Sequence, residues 1–219
     1  MNRAIFNMDL HNEQVLASYL DQYFYPRLEI LNVTRVTRIE EQYKGIDIRF
    51  NHESREYLVD EKGYLSRPTI QNTFVLELSF VNPRNVRVEG WFYNPEKDST
   101  HYLLCWADRD DISIYNPKQP LAVDNLHHVE IMLVNRLVLQ DYLNRQYGIN
   151  RQFIEEHHGE LLRNLENGPI RLPNSDSKYQ LNLRLKEKPL FIVMTKNEYV
   201  TSGAIEARYM VYRDKIEAI

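Results

Sequence analysis

The stretch Lys44–Lys62 constrains the fold most strongly, because it alternates apolar and polar residues on both sides of a short polar segment. Such alternation is typical of β-strands that bury one face. The intervening residues, 51–55, are all polar. The pattern therefore predicts an antiparallel hairpin.

The apolar face sets the register of this hairpin. A four-residue loop, His52–Arg55, places Phe50 opposite Tyr57. Ile48 and Val59, the next residues of that face, then also pair. A shift by one residue would turn these side chains to the opposite face, so we expect this register.

The same register brings two carboxylates together, since Asp47 then faces Asp60. Directly opposed residues have Cβ atoms about 5 Å apart, and like charges there are destabilising. A divalent cation would remove that repulsion, because magnesium is often held by one or two carboxylates plus substrate phosphate. Lys62 adds a positive charge on the same face. The alternative is a solvated hairpin face on which Lys62 only offsets the two acids.

Asp47 followed by Asp60-Glu61-Lys62 resembles the D…(D/E)XK motif of the PD-(D/E)XK nuclease superfamily. The resemblance covers roughly the first 65 residues and implies a restriction-endonuclease-like fold, with the motif on a β-hairpin of a mixed sheet. It also implies Mg²⁺ or Mn²⁺ as cofactor and DNA as substrate. Ile46 stands where the motif has proline.

Residue roles follow from that resemblance by position. Asp47 and Asp60 would bind the metal, and the Glu61 carbonyl would lie near it. Lys62 would position or activate the water that attacks the phosphodiester. Family members often carry a further acid on the helix before the hairpin, which implies Glu13 here.

The segment Asn12–Tyr25 has apolar residues at helical spacing and is stopped by Pro26, so it predicts an amphipathic helix capped by Asn12. Glu13 would lie in the first turn of this helix. An acid there interacts favourably with the helix dipole, which is the alternative to a role in metal binding. A strand within residues 29–41 would then lead into the hairpin.

The rest of the chain predicts further strands and a helical pair, so the fold class is α+β. We expect one nuclease domain over residues 1–219, with an inserted β unit at about 66–116. The predicted elements are a strand at Thr73–Val81, a hairpin of residues 89–93 with 101–107, helices at 129–147 and 150–165, and strands at 180–185 and 189–195. The segment 199–212 is ambiguous between helix and strand.

Composition limits the partners and the location. Net charge is −4, so a nucleic-acid site must be a local basic patch. The candidate phosphate contacts are Lys44, Arg49, Arg67, Arg84 and Arg87. No secretory signal or 18-residue apolar run is present, so we expect a cytoplasmic protein that does not enter a membrane. A homo-oligomer remains open.

Other chemistries lack support in the sequence. The single cysteine, Cys105, excludes an intrachain disulfide and a cysteine zinc cluster. Neither a phosphate-binding P-loop nor a serine nucleophile elbow occurs. Two alternatives to a nuclease stay open. One is a catalytically inactive module that keeps the nuclease fold for binding or assembly, and the other is an unrelated α+β interaction protein.

Overall fold

A computed structural model of the chain describes residues 3–183 and 185–219. The helices are α1 (Arg3–Tyr23), α2 (Ile39–Tyr43), α3 (Arg136–Tyr147), α4 (Arg151–Leu165) and α5 (Lys196–Ser202). The strands are β1 (Leu31–Arg35), β2 (Ile48–His52), β3 (Arg55–Tyr64), β4 (Thr73–Val81), β5 (Arg87–Glu89), β6 (His101–Arg109), β7 (Leu126–Asn135), β8 (Ile170–Arg171), β9 (Lys178–Leu181), β10 (Leu190–Thr195), β11 (Ile205–Tyr212) and β12 (Ile216–Ala218). None of these described helices is both long and apolar enough to cross a bilayer.

The described chain forms two compact units, and the predicted α+β class is confirmed. The motif unit contains residues 3–71 together with Asp98–Asn135 and Ile205–Ile219. The second unit contains Asn72–Lys97 and Arg136–Ala204. A single nuclease domain over residues 1–219 stays a prediction.

The motif unit is built on one mixed sheet. Among the described residues its strand order is β1-β2-β3-β6-β7-β11-β12. The strands β1, β2 and β3 form an antiparallel meander, and β6 then pairs in parallel with β3. The motif strand β3 therefore lies inside the sheet, with a neighbour on each side. Parallel pairing requires a crossover, which residues 65–100 provide.

The motif hairpin has the predicted register. Ile48 pairs with Val59 and Phe50 with Tyr57, whose rings stack at 4.8 Å between centroids. The predicted four-residue loop is wrong, because the flanking residues His52 and Arg55 also pair. The connection is the two residues 53 and 54, with φ of 47° and 64°. Two successive positive φ values are what a type I′ hairpin turn requires.

Helix α1 packs beside the motif strand and starts at Arg3, well before the predicted cap Asn12. Asn12 is therefore no N-cap; it is buried, and its side-chain amide donates to the Ile114 carbonyl at 3.2 Å. Glu13 lies within the helix, so the predicted role at the helix dipole is wrong. Gly63 permits the close packing, since a Cβ there would lie 2.6 Å from Leu16 Cδ2.

Two predicted elements are wrong beyond the motif. The segment 129–147 is not one helix: β7 runs to Asn135 and α3 begins at Arg136. Continuous apolar residues, buried on both faces of an internal strand, resemble a wide helical stripe in sequence. The hairpin of residues 89–93 with 101–107 does not form either, because β6 lies between β3 and β7.

The second unit has its own sheet, ordered β5-β4-β10-β9-β8 among the described residues. The predicted strand Thr73–Val81 is confirmed as β4, which belongs to this sheet, whereas β6 of the predicted β insertion belongs to the motif sheet. The predicted helix at 150–165 is also confirmed as α4, which Asn150 caps by accepting a hydrogen bond from the Phe153 amide at 2.8 Å. The ambiguous segment 199–212 contains the end of α5 and all of β11.

The motif turn yields a stability prediction. Ser54 adopts the left-handed region, which costs an L-residue more than glycine. We expect Ser54→Gly to raise the free energy of unfolding by about 0.5–1 kcal/mol, after the entropy cost of glycine is subtracted. Urea denaturation measures the change. Ser66→Gly is the control, because Ser66 is exposed and has no positive φ; an equal gain in both variants would contradict the turn assignment.

Candidate metal and catalytic site

The two motif aspartates meet at the open end of the hairpin. Asp47 immediately precedes β2, and its amide donates to the Val59 carbonyl at 2.9 Å. Its carboxylate oxygen Oδ2 accepts a hydrogen bond from the Glu61 amide at 2.8 Å. Asp60 lies one residue before that amide, so the backbone of the motif strand holds Asp47 beside Asp60.

Asp60 is buried at 3% exposure and pairs with Lys62, whose Nζ donates to Oδ1 at 2.6 Å. Burial raises the pKa of Asp60 to about 7. The positive charge of Lys62 opposes this rise, and the charge of Asp47 together with a hydrogen bond between the two carboxyl groups adds to it. The structure thus places the two carboxyl groups within electrostatic range of each other.

Lys62 and Glu13 extend this charged cluster. Burial lowers the pKa of Lys62, but Asp60, Asp47 and Glu13 together bring it above its ordinary value. Lys62 therefore stays protonated at neutral pH. Burial of the Glu13 carboxyl group raises its pKa, Lys62 lowers it and Asp47 raises it. The structure thus places Glu13 within electrostatic range of the motif.

The Glu61 side chain points away from these groups and cannot join them as a ligand. Its carboxylate accepts from Arg35 Nη1 at 2.8 Å and Nη2 at 3.1 Å, and from the Tyr25 hydroxyl at 2.6 Å. Arg35 also holds Asp21 of α1 through two contacts of 2.7 Å. Burial raises the pKa of Glu61, and Arg35 opposes that shift.

Sequence reasoning missed Arg35, Tyr25 and Asp21, although one signal was present. Alternation along β3 places Glu61 on the same face as Tyr57 and Val59, both buried. A charged residue on an apolar face requires a buried partner. The position of Arg35 as that partner follows only from the packing of α1 and β1.

Two of the candidate phosphate contacts are engaged with carboxylates. Lys44 Nζ lies 2.7 Å from Asp98, and Arg49 contacts Glu41 at 3.1 Å. Arg67 is exposed on the segment after β3. These three predicted contacts belong to the motif unit.

The other two, Arg84 and Arg87, belong to the second unit. Arg84 is exposed, and Arg87 lies 3.9 Å from Glu89. The five predicted contacts are therefore divided between the two units, and their role in DNA binding stays a prediction.

Within the described ranges, no group of three or more His, Cys, Asp and Glu side chains is arranged to hold a metal ion. Magnesium does not require such a group, because it keeps several waters and uses one or two carboxylates with substrate phosphate. Asp47 and Asp60 supply that pair. Repulsion from the Asp47 carboxylate helps raise the pKa of Asp60. A cation bound between the two carboxylates would remove that repulsion.

Comparison of the chain with protein-family models, with curated proteins and with solved structures gives no match. The site must therefore be interpreted from its own geometry.

The raised pKa of Asp60 gives a pH dependence. The folded chain keeps this proton up to about pH 7, whereas the unfolded chain loses it near the ordinary value of 3.8. The folded state binds more protons between these values, so the contribution of Asp60 to stability falls as pH rises from about 4 to about 7. We expect the stability of the metal-free wild type to fall over this pH range, and we expect the Asp60→Asn variant to lack this fall.

Urea denaturation in chelator at several pH values measures this effect. Asp176→Asn is the control, since the Asp176 side chain is 79% exposed. Parallel pH profiles for wild type and Asp60→Asn would contradict the assigned shift.

Proposed function

We propose that the motif unit is the active centre of a nuclease that hydrolyses phosphodiester bonds of DNA with Mg²⁺ or Mn²⁺. The observation that carries this proposal is the cluster formed by Asp47, just before β2, with Asp60 and Lys62 of the adjoining strand β3. Support also comes from the order of elements, a helix followed by an antiparallel meander, with Glu13 of that helix near the motif.

The chain's own groups divide the work. Asp47 and Asp60 would hold the cation, and the Glu61 amide fixes the Asp47 carboxylate by donating a hydrogen bond to it. A divalent cation bound there would polarise the scissile phosphate and promote loss of a proton from the attacking water. The Lys62 ammonium lies in the same cluster, where it orients the water and stabilises negative charge that develops on the phosphate.

The protonation states agree with these roles. Lys62 is charged at neutral pH, so it acts as an electrostatic group and not as a proton acceptor. Asp60 must be ionised to bind a cation, and its proton competes with the metal up to about pH 7. Metal binding should therefore strengthen as pH rises towards 7.

Metal linkage is the first test of the proposal. We expect millimolar Mn²⁺ to raise the melting temperature of wild type, because the ion binds only the folded pair of aspartates. Asp60→Asn should lose most of that rise. Glu217→Gln is the control, since Glu217 is an exposed acid of the same unit that pairs with Lys215. An equal Mn²⁺ shift in wild type and Asp60→Asn would mean that the ion binds elsewhere.

The second test separates catalysis from binding. Lys62→Met removes a cation without removing a proposed metal ligand, so DNA and metal binding should persist. Cleavage of plasmid and short duplexes should fall by about 10²–10³-fold, as expected for loss of one electrostatic group in the transition state. Asp47→Asn should lose metal binding and cleavage together.

Lys215→Met is the matched control for Lys62→Met. Lys215 also contacts an acid two residues away at 2.6 Å, but its side chain is 54% exposed. Cleavage by Lys62→Met at the wild-type rate would overturn the role of Lys62. Wild type that binds DNA but does not cut it in either metal would instead favour the inactive binding module.

A further inference from the structure

Glu61 is the middle residue of the Asp-Glu-Lys motif, and its two groups face different partners. Its amide, in the backbone of β3, donates to Asp47 Oδ2 at 2.8 Å. Its side chain, 7% exposed, accepts three hydrogen bonds from Arg35 and Tyr25. Glu61 thus connects the hydrogen-bond network of Arg35 and Tyr25 with the carboxylate of Asp47.

This hydrogen-bond network, which is buried at Glu61 and Tyr25 and exposed at Asp21, joins the motif strand to three other elements. Arg35 lies on β1 and donates hydrogen bonds both to Glu61 and to Asp21 of α1. Tyr25 lies in the 3-10 turn after α1 and is buried. A guanidinium that contacts each of two carboxylates with paired N–H groups fixes their orientation, which one flexible contact would not do.

From these contacts we infer that Glu61 is a positioning residue whose side chain, held by Arg35 and Tyr25, sets the Glu61 amide and so orients Asp47 for metal binding. This inference rests on the proposed function. The Glu61 carboxylate itself takes no part in binding the metal. Groups that hold metal ligands in place typically change affinity or activity by 10–100-fold when they are altered.

The alternation of β3 explains why the motif can be held in this way. Successive side chains point to opposite faces, so Asp60 and Lys62 share one face and Glu61 takes the other. Arg35 and Tyr25 therefore anchor the strand through Glu61, on the face opposite to Asp60 and Lys62. A merely stabilising role for the network would predict lower stability in its variants but unchanged metal affinity.

Tyr25→Phe is the most conservative test, because it removes a hydroxyl and keeps the buried ring. We expect Mn²⁺ binding, measured by calorimetric titration, to weaken about tenfold. In the metal-free protein, hydrogen exchange at the Glu61 amide should speed up. The Leu58 amide of the same strand, which donates to Thr100 Oγ1 at 3.1 Å, should keep its exchange rate.

Tyr19→Phe is the matched control. Tyr19 is also buried in the motif unit, and its hydroxyl donates to the Val211 carbonyl at 3.0 Å, away from Glu61. The Tyr19→Phe variant should be less stable than wild type but should bind Mn²⁺ with the same affinity. Glu61→Gln should weaken Mn²⁺ binding in the same direction as Tyr25→Phe, and the double variant should lose less than the sum, because both changes act through one contact.

Each outcome decides the inference. Unchanged Mn²⁺ affinity in Tyr25→Phe, or an equal change in Tyr19→Phe, would overturn it. Additive effects of Tyr25→Phe and Glu61→Gln would also overturn it. If wild type binds no Mn²⁺ at all, the proposed function fails, and exchange at the Glu61 amide in Tyr25→Phe alone decides whether this side chain holds the amide bound to Asp47.

Discussion

Ile48 pairs with Val59 across β2 and β3, and this register determines which side chains share a face of the motif hairpin. It places Asp47, the residue just before β2, beside Asp60 of β3. A slip of one residue would move the apolar side chains out of the core and separate the two acids. The same packing that stabilises the sheet therefore assembles the charged cluster. Stability and the candidate chemistry depend on one interaction.

The mixed sheet supports this arrangement from both sides of β3. The hairpin partner β2 lies on one side, and the parallel strand β6, buried almost throughout, lies on the other. An internal strand cannot shift without breaking two ladders of hydrogen bonds. Asp60 and Lys62 are thus held on a rigid element, which suits groups that must keep a fixed geometry during a reaction. The ion pair of Arg35 with Glu61 adds an anchor on the opposite face.

The spacing of apolar residues along the chain was sufficient to predict much of the motif hairpin and its neighbouring helix. Alternation along residues 44–62 predicted the hairpin and its register, and helical spacing predicted the core of α1. The two-residue turn was not foreseen, because positive φ at Glu53 and Ser54 is unusual for those residue types. The strand β7 was mistaken for a helix because a strand buried on both faces has no alternation.

Long-range partners could not be predicted from the sequence. Arg35 reaches Glu61 only because α1 and β1 pack against the motif strand, and no spacing along the chain encodes that contact. The proximity of Asp47 and Asp60 did follow from register alone. The same register also placed Lys62 on the face of Asp60. The burial of Asp60, which is the largest cause of its raised pKa, could not be predicted in this way.

Anomalous diffraction from crystals grown with Mn²⁺ tests the central claim most directly, because it locates the ion independently of any activity. The account predicts an anomalous peak between the carboxylates of Asp47 and Asp60, and its disappearance in crystals of Asp60→Asn. An occupied Mn²⁺ position elsewhere, with none at this pair, would contradict it.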